Sequence, residues 1–119
     1  MWIKSGNDAN LKALCKDADG NIITNLADTS EIICQIKISK DATATIEKKK
    51  TDSEILVNDP STGYIKILID ASDTEELADT YFIGVQPQWT GNKQEINLED
   101  EFGSEFEQIE IRKDVVVIT

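Results

Sequence analysis

Apolar and polar residues alternate along this chain in short runs, and nowhere do apolar residues recur at helical spacing for three turns. A period of two belongs to strands, whose successive side chains point to opposite faces. Residues 10–16 place Leu11, Ala13 and Cys15 on one face and run into Asp17-Ala18-Asp19-Gly20-Asn21, a turn whose glycine supplies positive φ; Ile22, Ile23 and Leu26 follow. Residues 31–40 form the clearest strand, with Ile32, Cys34, Ile36 and Ile38 on the core face and Ile33, Gln35, Lys37 and Ser39 opposite. Residues 42–51 are β-branched and then lysine-rich. They read as an edge strand on which Lys48, Lys49 and Lys50 face solvent and discourage pairing with another sheet.

A short strand through Ile55 and Val57 comes next, then Asp59-Pro60-Ser61-Thr62-Gly63, where proline fixes φ and glycine frees it. Ile65, Ile67 and Ile69 then alternate with Tyr64, Lys66 and Leu68, and residues 72–77 have the acids and cap of one helical turn crossing between sheets. Residues 80–88 return as a strand with Tyr81, Ile83 and Val85 inward, and Pro87 marks an edge or a strand end. Tyr81 opens that strand after a crossover, the place where a ring enters the core while its hydroxyl bonds backbone at the corner. Thr90-Gly91-Asn92-Lys93 closes a hairpin onto residues 94–98, an acidic segment fills 99–105, and a last strand carries Phe106, Ile109 and Ile111. About eight short strands separated by turns predict an all-β antiparallel sandwich, and 119 residues suit one domain, 1–119.

Composition narrows the partners. With 12 Lys and Arg against 23 Asp and Glu, the net charge is −11, which disfavours nucleic acid and anionic membrane surfaces as partners. No apolar stretch approaches the ~20 residues of a membrane span, and no secretory leader is read at the start, so the expected site of synthesis is a cytoplasm. Cys15 and Cys34 have the number for one disulfide. The cytoplasmic reading makes them two buried, reduced thiols instead.

The chain has no histidine, which removes the commonest general base and any Ser-His or Cys-His pair; it reads as a non-enzyme with no cofactor. Asp17, Asp19, Asn21 and Asp28 fall at positions 1, 3, 5 and 12 of a calcium-loop count. Ile22 stands where that loop needs glycine, so a plain hairpin turn is preferred and no metal site is expected. The acids at 99–107 read as a solvated loop.

The order of these signals resembles the immunoglobulin-like domain of tailed-phage structural proteins, including the amino-terminal domain of the phage baseplate upper protein family. The residues carrying the likeness are Leu11-x-Ala13-x-Cys15 into Asp17-Ala18-Asp19-Gly20, Ile32-x-Cys34-x-Ile36-Lys37, and Asp59-Pro60-Ser61-Thr62-Gly63 before Ile65-x-Ile67-x-Ile69. Asp73-Thr74-Glu75-Glu76-Leu77 leading to Tyr81, and Ile109-x-Ile111 with Asp114-Val115, complete it. The family usually has a glycine just before the tyrosine; this chain has Ala78-Asp79-Thr80, and its segment 99–105 is longer than the usual last hairpin. The resemblance implies an immunoglobulin-like sandwich and a structural role in a virion, in the tail, baseplate, neck or head surface, among other virion proteins and copies of itself. The alternative is a carbohydrate- or protein-binding immunoglobulin-like module of a bacterial surface protein, with Trp2, Trp89 and Tyr64 as candidate stacking rings.

One stretch suggests where such contacts form. Val115, Val116, Val117 and Ile118 are consecutive apolar residues, and a strand can turn only alternate ones toward its own core. Together with Trp2 and Ile3 they are the expected assembly interface, adding to a neighbouring sheet or filling its groove. The competing expectation is that both ends pair with the sheet edge of their own domain.

Overall fold

The computed structural model describes residues 2–94 and 96–113. Strands take up about half of the described residues and helical turns about a tenth, arranged as two packed sheets, so the fold is an all-β sandwich. Eleven strands are present among the described residues, because short strands at Trp2–Lys4 and Asn92–Lys93 add to the expected set and the last expected strand is divided. They are β1 (Trp2–Lys4), β2 (Ala9–Lys16), β3 (Glu31–Lys37), β4 (Ile46–Lys49), β5 (Ile55–Leu56), β6 (Tyr64–Ile69), β7 (Asp79–Trp89), β8 (Asn92–Lys93), β9 (Asn97–Glu99), β10 (Glu105–Phe106) and β11 (Gln108–Arg112).

The first sheet runs β1-β11-β7-β3-β4, with β8 a short addition to β7, and the second runs β10-β9-β2-β6-β5. All neighbours are antiparallel except β1 and β11, which are parallel with Ile3 opposite Ile111. The inward faces are those the alternation predicts: Leu11, Ala13 and Cys15 on β2, Ile32, Cys34 and Ile36 on β3, Ile65, Ile67 and Ile69 on β6, and Tyr81, Ile83 and Val85 on β7. They merge with Leu26, Ile109 and Ile111 into one core between the sheets. No helix among the described residues is long and apolar enough to cross a membrane.

Cys15 and Cys34 sit on opposite sheets of this core, both fully buried and unbonded to each other. Burial pushes each thiol up to about 12, which suppresses the reactive thiolate.

Several expectations need correction. Ile38 is 47% exposed, because β3 ends at Lys37 and the chain turns, with the Ala42 N–H donating to the Ser39 carbonyl. Of the two isoleucines after the first turn, to which the alternation assigns no face, Ile23 takes the core position and Ile22 is exposed. Pro87 lies inside β7, opposite Ile32 and fully buried. Its carbonyl points to Gln94, on the flank that β11 no longer covers, and the missing N–H falls on that same flank, so the ladder to β3 is intact. The Tyr81 ring is buried as expected, but no hydrogen bond from its hydroxyl to described backbone accompanies it. The hairpin after β7 is only two residues deep before the chain crosses to the second sheet, where β9 pairs β2. Phe106 and Ile109 likewise belong to different sheets.

The lysines of the edge strand differ most from expectation. Lys48 points inward, its side chain only 5% exposed, with Nζ 2.7 Å from Asp73 Oδ2 and 3.2 Å from Glu54 Oε2. Lys50 Nζ donates to the carbonyls of Ala27 and Thr29. An inward charge still guards an edge, since a new strand pairing there would have to leave it satisfied.

Asp73 belongs to helix α1 (Ala71–Thr74), where its Oδ2 also accepts from the Asp70 N–H at the helix start. The bond to Lys48 therefore ties the crossover to β4. Burial works to lower the Lys48 pKa, but the bonds to Asp73 and Glu54 outweigh it and raise it. A raised folded value means that this stabilisation is complete below the ordinary lysine value near ~10.4 and is lost as pH climbs through the folded one. Lys48→Met should therefore cost about 1 kcal/mol at neutral pH, the carboxylates being partly solvated, and the deficit should shrink in urea titrations run at increasing alkaline pH. A deficit constant with pH would assign the effect to packing.

Candidate interaction surface

On the outer face of the first sheet, alternation turns Ile33, Gln35 and Lys37 of β3 toward solvent, beside Phe82, Gly84 and Gln86 of β7. The register sets these in cross-strand pairs: Ile33 with Gln86, Gln35 with Gly84, Lys37 with Phe82. Gly84 has no side chain to fill its place, and a Cβ there would meet nothing within 4 Å. The result is an open groove of about 340 Å³ between the two strands, lined by Gly84 and, beside Phe82, by Lys40. The Lys40 ammonium lies 5.3 Å from the Phe82 ring centroid. Gln35 Nε2 donates to Glu47 Oε2 of β4 at 2.7 Å, which fixes one wall, and Gln88 donates to Gln86 on the other.

The charge of this groove opposes that of the molecule. Its lining holds Lys37 and Lys40 and no carboxylate, in a chain of net charge −11. Two ammonium groups, two amides, a phenyl ring and Ile33 suit binding of a group that is apolar and anionic together. The sequence carried a signal for it: a glycine in mid-strand often marks a site of close approach, and Ile33 is an apolar residue on a solvent face.

The expected interface residues behave differently from one another. Ile3 is buried in the core of its own domain through the β1–β11 pairing, so its side chain is not offered to a partner. Trp2, on the opposite face of β1, is 49% exposed, and the Arg112 guanidinium lies 4.6 Å from its ring centroid. Arg112 also grips Glu110 through two bonds, at 3.0 and 3.1 Å, and this pairing holds the Glu110 carboxyl below its ordinary range. Val115, Val116, Val117 and Ile118 lie outside the described residues.

The three candidate stacking rings do not form a platform. Trp2 is level with Thr80 through Glu110, and Trp89 is nine residues further along β7, about 30 Å away at strand rise. Trp89 Nε1 donates to the Asn25 carbonyl, and Tyr64 lies on the second sheet under the Lys12 ammonium.

The acidic segment is an ordered hairpin joining β9 to β10, and its loop repeats the geometry of the loop after β2. In Asp17-Ala18-Asp19-Gly20-Asn21, Asp17 Oδ1 accepts from the N–H groups of Asp19 and Asn21 at 3.0 and 2.9 Å. In Asp100-Glu101-Phe102-Gly103-Ser104, Asp100 Oδ1 accepts from those of Phe102 and Ser104 at 2.9 and 3.0 Å. In each the first residue's N–H donates to the fifth residue's carbonyl, and the fourth is a glycine with φ of +85° or +81°. Asp17 thus acts as a turn former through a side chain that copies a backbone turn. The third position faces solvent in both loops, where it is Asp19 in one and Phe102, 92% exposed, in the other. Comparison with family models, with curated proteins and with solved structures finds no match to this chain.

Proposed function

We propose that this chain is an immunoglobulin-like module and a structural component of a tailed-phage virion, which acts by contact with other virion proteins and with copies of itself. The observation that carries the reading is the strand order. β2, β6 and β5 stand as B, E and D of the immunoglobulin arrangement, and β3, β7 and β11 as C, F and G, with β4 added beside C. That arrangement is what the sequence resemblance implies. The departure is the β9–β10 hairpin, which takes the free edge of β2 where strand A lies in the constant-type pattern, while β1 joins the other sheet beside β11. Since fold alone does not specify function, the virion assignment rests on the resemblance, together with a surface that presents binding groups.

Gold-labelled antibody to this protein, applied to purified particles and to intact host cells, tests it by electron microscopy. Label at a fixed site on the particles is the expected result. Label confined to the cell surface would overturn it in favour of a bacterial surface module.

A further inference from the structure

We propose that copies of this chain join head to tail, the Phe102 hairpin tip of one copy seating in the Gly84 groove of the next. This deepens the assembly reading and names its contact. Phe102 stands at a loop position whose turn bonds are made by backbone and by Asp100, and the twin loop makes the same bonds with a small acid there, so the turn geometry does not call for a ring. The ring, 92% exposed, is the aromatic anchor of the proposed contact.

The socket fits in shape and charge. A cavity of roughly 150 Å³ holds a benzene ring, and the groove at Gly84 measures about 340 Å³ with Ile33 and Phe82 to receive one. Glu101 and Glu105 flank the ring on the tip, while Lys37 and Lys40 line the groove and the Glu47 carboxylate beside its wall is engaged by Gln35 and Lys49. A chain cannot satisfy itself this way, because its tip extends from the second sheet and its groove opens on the outer face of the first. In such a head-to-tail arrangement each copy gives its tip to one neighbour and its groove to another, so the contact is heterologous and propagates to a ring or a filament.

Two variants of the full chain isolate the two halves. Phe102→Ser removes the anchor, and Gly84→Val fills the socket with a residue suited to a strand, in open space and without positive φ to oppose it. In sedimentation analysis up to about 1 mM protein, the wild type should form species larger than dimers that shrink as salt rises, and each variant alone should stay monomeric. Mixed in equal amounts, the two variants should form dimers and nothing larger: the intact tip of the Gly84→Val copy enters the intact groove of the Phe102→Ser copy, and both remaining patches are dead. Circular dichroism confirms that each variant is folded. A monomeric wild type, variants that associate like it, or a mixture that stays monomeric would each overturn the proposal. Self-association is read on the purified chain and particle location by labelling, so either idea can fail without the other.

Discussion

Gly63→Ala should lower the melting temperature by roughly 10–20 °C, corresponding to about 2–5 kcal/mol, the largest effect expected of any glycine substitution here. Two terms add at this position. Gly63 holds φ of +76°, where an L side chain costs about 1–2 kcal/mol. A Cβ there would also lie 2.5 Å from Ile22 Cγ2, 3.1 Å from the Ile23 carbonyl and 3.2 Å from Leu14 Cδ1, an overpacking worth about 1–3 kcal/mol. Moving away from the clash would pull on the Gly63 carbonyl, which accepts from the Cys15 N–H at 2.8 Å and extends the ladder between β2 and β6. Gly20 separates the terms. It has φ of +85° but open space around it, so Gly20→Ala should show only the conformational cost. Equal melting temperatures for the two variants would mean that the contacts at Gly63 relax freely.

Ile67→Ala should cost about 2–5 kcal/mol, because its side chain is fully buried between the sheets and its removal leaves a cavity. Ile38→Ala, at a position 47% exposed, should stay within about 0.5 kcal/mol. Equilibrium urea unfolding measures both as midpoint shifts at constant slope. A large loss at Ile38 would restore it to the core face where alternation alone places it.

That pair of isoleucines shows how far the pattern reaches. The alternation identifies β6 residue by residue, since Ile65, Ile67 and Ile69 need only a period and a turn at Gly63. It overshoots at Ile38 because periodicity continues in the letters after the backbone has left the sheet at Lys37. Lys48 was unreadable for another reason: lysine is ordinarily exposed, and the carboxylates that bury it come from six and twenty-five residues away, Glu54 and Asp73. The groove is a product of register. Gly84 and Gln35 are 49 positions apart, and only the pairing of β3 with β7 makes their neighbourhood a concavity. Phe102 was visible as a letter but not as a projecting ring, because strands of two and three residues on either side of it carry too little alternation to announce a hairpin.

The parallel pairing of β1 with β11 has a mechanical meaning. The chain enters β1 at Trp2 and leaves β11 at Arg112, and because these strands run in the same direction, tension applied through the flanking chain slides one along the other. Their rungs, together with the bond from the Ser5 N–H to the Arg112 carbonyl, are then loaded all at once in shear, whereas an antiparallel end hairpin would open like a zip, one bond at a time. Force-driven unfolding is governed by the unfolding barrier, so a subunit held by its two ends in a strained assembly would resist in proportion to that short ladder and not to its equilibrium stability.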